Sequence, residues 1–159
     1  MTDEEALNCL IQLQSRYIRA LARNDMSAWA DCFDDPGSYV CMVRENEEQG
    51  LPIALMMDDS RGRILDRVKY VTEVWHGTFE DYSSRHIVQP IDWSVAASGA
   101  ITAESNLIVA YTTTRGRSEI LATGSYLDEI VIGPAGAHFR SKKVVLDTTI
   151  TPRYLVYPI

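Results

Sequence analysis

The chain has 159 residues, the length of one ordinary folding unit. At 46% hydrophobic and 23% charged residues it is excluded from the intrinsically disordered class. A net charge of −7, with twelve arginines scattered along the sequence, excludes a nucleic-acid backbone as partner, because that requires a clustered basic face. No apolar run approaches the about 20 residues of a bilayer span. The acidic start Met1-Thr2-Asp3-Glu4-Glu5 is the opposite of an export signal. No membrane partner is expected. Cys9, Cys32 and Cys41 are odd in number and widely spaced, which predicts free core thiols in a reducing, cytoplasmic setting.

Leu7, Leu10, Ile11, Tyr17, Ile18 and Leu21 recur at spacings of three and four, predicting an amphipathic helix over residues 3–23. Thr2 or Asp3 is its cap, Glu4 and Glu5 favour its first turn, and Asn24-Asp25 ends it. Residues 27–33 read as a short second helix with Trp29 and Phe33 four apart. Asp34-Asp35-Pro36-Gly37 reads as a turn. A short strand is expected over 39–44. The acidic stretch 45–49 and Gly50-Leu51-Pro52 then read as a loop or edge connection. Asp58-Asp59-Ser60 caps a second long helix whose stripe is Ile64, Leu65, Val68, Val71 and Trp75.

From Arg85 the pattern changes. Residues 85–97, 101–115, 117–132 and 137–150 are rich in Val, Ile, Thr and Tyr and are separated by Ser98-Gly99, Arg115-Gly116 and Gly133-Pro134-Ala135-Gly136. Four successive strands with tight connections pair antiparallel, and strands this long must twist or curl. Helices first and a long meander afterwards give an α+β fold, with two amphipathic helices on one face of a curved sheet that encloses a cone. No repeat or linker interrupts the chain, so 1–159 reads as a single domain.

A cone raises the question of what it holds. Tyr17 lies on the helix stripe, His86 opens the first long strand, Asp31, Asp34 and Asp35 close the second helix, and Asp92 and Tyr111 sit inside strands. A Tyr, a His and an Asp converging on a cavity would move a proton next to a carbonyl. Equally, the tyrosines fit as core aromatics with satisfied hydroxyls and Asp34-Asp35 as turn chemistry. Metal spacing is missing: His76, His86 and His138 are too far apart for an i, i+4 pair, and no C-x-x-C or C-x-H occurs. There is no G-x-S-x-G, G-x-G-x-x-G or Walker loop. Arg115-Gly116-Arg117 reads as a hairpin tip, and Arg61-Gly62-Arg63 with Asp66-Arg67 as a solvated helix face.

Three segments in this order carry a resemblance. They are Gly50-Leu51-Pro52-Ile53 leading into Met57-Asp58-Asp59-Ser60-Arg61-Gly62-Arg63-Ile64-Leu65-Asp66-Arg67-Val68, then Ser84-Arg85-His86-Ile87-Val88, then Arg140-Ser141-Lys142-Lys143-Val144-Val145-Leu146-Asp147. Together they resemble the small (beta) subunit of Rieske-type aromatic-ring-hydroxylating dioxygenases, nearest to those acting on the aromatic carboxylates terephthalate, anthranilate and salicylate. The chain departs from that pattern in the acidic stretch 45–49 and in the tail 152–159. The resemblance implies the cystatin-like cone shared with nuclear transport factor 2, scytalone dehydratase and ketosteroid isomerase. It implies no catalytic, cofactor-binding or metal residue here. The Rieske 2Fe-2S cluster and mononuclear iron are expected in the large (alpha) subunit, and a homotrimer of this chain within a hetero-hexamer.

Two further readings use the same fold. One is a stand-alone dehydratase or isomerase built on Tyr17, Asp31, Asp35 and His86. It requires an open polar cavity and fails if Trp29, Trp75 or Trp93 fills the cone. The other is a small-molecule binding module with a dry cavity. The apolar tail 150–159 predicts packing against another protomer, with the monomer remaining folded when residues 152–159 are removed.

Overall fold

The computed structural model describes residues 1–75, 77 and 81–159. Helix α1 (Asp3–Ala22) begins with a capping box: the Glu5 amide donates to the Thr2 hydroxyl at 3.2 Å, and the Thr2 amide donates to the Glu5 carboxylate at 2.7 Å. Its buried face includes Leu10, Leu13, Gln14, Tyr17 and Leu21. The predicted stripe is rotated slightly, since Ile11 is exposed and the polar Gln14 is inside. Asn24 takes a positive φ of 53° and turns the chain, as expected of an Asn just past a helix end.

Helix α2 (Met26–Ala30) is capped by Asp25, whose carboxylate accepts the Ala28 amide at 2.9 Å. It is shorter than predicted, because Phe33 already belongs to strand β1 (Phe33–Val43). The predicted turn Asp34-Asp35-Pro36-Gly37 is absorbed into that strand. The Asp35–Pro36 peptide is cis, and the ladder shifts register between Phe33 and Ser38. Pro has no N–H to give a ladder, and a bulge is where a strand tolerates it. The acidic stretch, expected as a loop, forms a short helix α3 (Arg44–Glu48). It is held to the sheet by Lys143 Nζ, 2.8 Å from the Glu47 carboxylate. Strand β2 (Met56–Asp58) follows, then α4 (Arg61–Lys69), capped by Ser60 as predicted. Helix α4 continues into a π-helical turn, Tyr70–Trp75.

Strands β3 (Tyr82–Val95), β4 (Ile101–Thr113), β5 (Ser118–Gly133) and β6 (Gly136–Leu146) form the expected antiparallel meander. Strand β6 ends at Leu146, short of the predicted residue 150. The sheet order is β2-β1-β6-β5-β4-β3, and β1 runs parallel to β6. Register shifts at Pro90/Asp92, Val109/Ala110 and Glu129/Ile130 put irregularities into three neighbouring ladders, which is how a long sheet acquires its curl. Gly124 marks a close approach of β5 to β6. A side chain there would collide with the Val145 carbonyl oxygen and lie 2.9 Å from Leu146 Cα.

Helix α1 packs across β3 and β6 on the inner face, and α4 packs on β1 and β2. The cone is filled. Tyr17, Trp29, Tyr39, Tyr126 and Phe139 are all shut from solvent, and Phe33 nearly so. Their rings meet mostly edge-on at centroid distances of 5.1 to 6.3 Å, the geometry favoured by opposed ring quadrupoles.

The tail is divided. Ile150 and Tyr154 are exposed at 84% and 75%, but Val156 and Ile159 join the core of their own chain. The Tyr17 hydroxyl donates to the Ile159 carbonyl at 2.7 Å, and the Ile159 amide donates to the Tyr39 hydroxyl at 2.9 Å. The expectation that the monomer is indifferent to residues 152–159 is therefore corrected, because two of the largest core tyrosines use that backbone as their partner.

Candidate functional site

The polar content of the cone comes from residues on facing elements. Gln14 enters from α1, Ser105 from β4, Asp128 from β5 and Lys142 from β6. All four are buried, and Ser105 and Lys142 fully so. Strand register places Asp128 directly opposite Lys142, and Lys142 Nζ bridges both carboxylate oxygens at 3.0 and 3.1 Å. Gln14 Nε2 donates to Ser105 Oγ at 2.9 Å and reaches Asp128 Oδ2 at 3.5 Å.

The ammonium is also caged by aromatic faces. It stands 3.5 Å from the Tyr126 ring centroid, 4.3 Å from Phe139 and 4.7 Å from Tyr17. Burial pushes the Asp128 carboxyl up and the Lys142 ammonium down, and each partner pulls the other back toward its charged form. Burial also raises the hydroxyls of Tyr17, Tyr39 and Tyr126 well above the ordinary tyrosine range. The Cys32 and Cys41 thiols are pushed up to about 11 and about 12. The three tyrosine hydroxyls and two cysteine thiols are thereby held protonated at neutrality.

The sequence-predicted candidates are dispersed. Tyr17 lies in the aromatic core with its hydroxyl given to Ile159. Asp31 is exposed beside Arg61 at 3.8 Å. Asp34 pairs with Arg140 at 3.1 Å, and Asp35 and Asp92 are exposed. Tyr111 donates to Glu119 at 2.8 Å, and that bond raises its hydroxyl. His86 faces inward with both ring nitrogens buried and without hydrogen-bond partners. Among the described residues no hydrogen bond joins any two of Tyr17, Asp31, Asp35 and His86. Of the three histidines considered as ligands, His76 lies outside the described residues. Among the described residues no group of three or more His, Cys, Asp or Glu is placed to hold a metal ion.

Sequence reading passed over the Lys142–Asp128 pair. Strand alternation points one of the adjacent Lys142 and Lys143 inward, but nothing local says which, because the register shift at Glu129/Ile130 lies between them and the hairpin.

His86 has a measurable consequence. Burial, and secondarily the charge of Lys142, lowers its imidazole from 6.5 to about 4. The unfolded chain therefore binds a proton that the folded chain refuses between those values. The contribution of the neutral ring is complete above about pH 6.5 and is lost as pH falls toward about 4. At about 1.4 kcal/mol per tenfold change in proton affinity, up to about 3 kcal/mol is at stake. His86→Leu is expected to flatten the urea-unfolding free energy between pH 6.5 and 4.5. An unchanged slope in that variant refutes the assignment.

A cone packed with aromatic rings around a buried Lys142–Asp128 pair calls for comparison with known chains of this shape. The profile of the ring hydroxylating beta subunit family matches residues 16–153. The chain belongs to that family.

Among its relatives, the anthranilate 1,2-dioxygenase small subunit of Burkholderia cepacia is 28% identical over 150 residues, covering 94% of this chain and 92% of that one. The beta 2 subunit of the terminal oxygenase component of terephthalate 1,2-dioxygenase from Comamonas sp. is 22% identical over 143 residues, covering 90% and 92%. A crystal structure described as the beta subunit of an aromatic-ring-hydroxylating dioxygenase from Novosphingobium aromaticivorans superposes with a TM-score of 0.84 at 23% identity, covering 96% of this chain and 95% of that one. The α+β cone is thus the fold of this beta subunit's structural neighbours as well. As a small subunit it is one part of an oxidoreductase complex and has an alpha-subunit partner, on which the family places the cofactors. Among the described residues of this beta subunit no helix is long and apolar enough to cross a membrane.

Proposed function

We propose that this chain is the structural small subunit of a dioxygenase that hydroxylates an aromatic carboxylate, and that it holds large subunits in register in the cytoplasm. The family match over residues 16–153 carries this reading. The substrate class is suggested by relatives named for anthranilate and terephthalate. In this proposal the whole chain is one domain and contributes no catalytic residue, in keeping with a cone occupied by Trp29 and its aromatic neighbours. The Rieske cluster and the mononuclear iron belong to the large subunit.

The assembly proposed is a homotrimer of this chain within a hetero-hexamer. The outer face of the sheet supports it. Ile87 and Ile108 are register partners on β3 and β4 and are 61% and 40% exposed, and Ile150 and Tyr154 add apolar surface in the tail. Surface of this kind on long strands needs a cover to avoid indiscriminate association.

Co-expression tests the role. The large subunit produced with this chain is expected to form a stable complex and turn over an aromatic carboxylate, and to lose assembly when produced alone. A large subunit that assembles and works at full rate by itself overturns the structural role. Light scattering of this chain alone reads the trimer directly, and a monomer at micromolar concentration overturns that part.

A further inference from the structure

The arginines scattered in the sequence are not all scattered in space. Arg16 and Arg19 lie on the exposed face of the last two turns of α1 and Arg23 is its C-cap, and with Ala20, Ala28 and Cys32 they line a cleft of about 260 Å³ against α2. That volume is below the range of drug-sized sites and suits a ligand of one ring. Arg16 is anchored, its guanidinium donating to the Ala137 carbonyl. Arg19 and Arg23 make no side-chain hydrogen bond or ion pair among the described residues, although Asp25 and Asp31 line the same cleft. Those two carboxylates are engaged elsewhere, Asp25 with the Ala28 amide at 2.9 Å and Asp31 with Arg61 at 3.8 Å.

The floor is formed by small side chains. Ala20 and Cys32 are 4% and 2% exposed, and the Cys32 thiol is turned to the Ala28 carbonyl at 3.4 Å. Arg16 is the strongest influence opposing the burial that raises that thiol, so its positive field reaches the floor. Three guanidinium groups outnumber the two carboxylates, one of which is already paired with Arg61, so the cleft is positive and complements an anion. A dianion would meet Asp25 and Asp31 at the rim. Guanidinium groups both pair bidentately with a carboxylate and stack on an aromatic plane, so arginine walls over an apolar floor select an anion that carries a flat ring.

We propose that this cleft binds a small aromatic carboxylate, its ring over Ala20, Ala28 and Cys32 and its carboxylate among Arg16, Arg19 and Arg23. The site lies outside the cone. Its connection to catalysis rests on the reading above, but the binding itself does not.

The test follows backbone amides of the purified chain by ¹H–¹⁵N NMR while benzoate, inorganic phosphate or benzyl alcohol is added at constant ionic strength. Benzoate is expected to move the Ala28 and Cys32 amides saturably, with an affinity at least about tenfold above that for phosphate, and benzyl alcohol to leave them in place. The double variant Arg19→Gln, Arg23→Gln is expected to weaken benzoate about tenfold or more while its thermal midpoint stays within a few degrees, since both side chains are exposed. Equal binding of phosphate makes the cleft an unspecific anion site and overturns the proposal. So does equal binding of benzyl alcohol, or an affinity for benzoate that the double variant leaves unchanged. Co-purification with the large subunit is a separate readout, so failure of the cleft and failure of the dioxygenase reading are told apart.

Discussion

Lys142→Met is expected to destabilise the folded chain by about 3–5 kcal/mol, the characteristic cost of stranding one charge of a buried pair. The structure gives the reason. Asp128 is buried and takes two of its bonds from Lys142 Nζ, while Gln14 reaches it only at 3.5 Å. Without the ammonium the carboxyl must take up a proton or draw in water, and three aromatic rings lose the cation they surround. Adding Asp128→Val removes the stranded group. Gln14 keeps Ser105 at 2.9 Å and gives up only its long 3.5 Å contact with Asp128. The double variant is expected to recover most of the loss, because two desolvated ions and a well-packed apolar pair are close to equivalent in net stability. Urea unfolding at pH 7 reads both. A single variant no weaker than the double shows that the pair is not what satisfies Asp128.

The same comparison bears on why a charged pair sits in this core. An apolar replacement of similar stability would leave the register between β5 and β6 less tightly specified, whereas Asp128 opposite Lys142 penalises a slip by one residue, which would carry one charge to the other face and leave its partner buried alone. Gly124 acts at the other end of the same pair of strands, where any side chain would strike the Val145 carbonyl.

What sequence could reveal follows from the range of each interaction. The capping box of α1, the Ser60 cap, the four-stranded meander and its turns all depend on neighbours a few residues away, and each is readable from local pattern. The parallel pairing of β1 with β6 joins residues about a hundred positions apart, and no local periodicity encodes it. Asp34-Asp35-Pro36-Gly37 has turn composition, but the neighbouring strand imposes a bulge instead. The acidic stretch becomes a helix partly because Lys143, from β6, reaches Glu47.

The cone's interior was legible only in its apolar part. Tyr17 and Trp29 fall on predicted helices, but the choice of Lys142 over Lys143 for the inside depends on a distant register shift. The candidate acids Asp31 and Asp35 follow α2 closely in sequence, yet the bend into β1 puts both at the surface. The arginine cleft was hidden for a related reason. Arg16, Arg19 and Arg23 read as an ordinary helix end until α2 and the residues after it fold back to supply Ala28 and Cys32.

Removing residues 156–159 is expected to unfold the monomer at temperatures where the full chain is stable, a larger effect than loss of association alone. Val156 and Ile159 are 5% and 1% exposed in the core, and burying side chains of this size contributes about 1.5–3 kcal/mol each. The backbone counts as well. The Tyr17 hydroxyl loses the Ile159 carbonyl and the Tyr39 hydroxyl loses the Ile159 amide, leaving two fully buried hydroxyls unpaired at about 1–3 kcal/mol apiece. Ordering four residues offsets part of this, about 1–2 kcal/mol per residue. At mid-range values the remainder is about 2–3 kcal/mol, enough to lower the melting point of a domain held by about 5–15 kcal/mol. A control separates core from interface: Ile150→Ser with Tyr154→Ser alters only side chains that are 84% and 75% exposed. That variant is expected to keep its circular dichroism and thermal midpoint while light scattering reports weaker self-association. A chain cut after residue 155 that melts within a few degrees of the full chain would return Val156 and Ile159 to the interface and show that Tyr17 and Tyr39 find other partners.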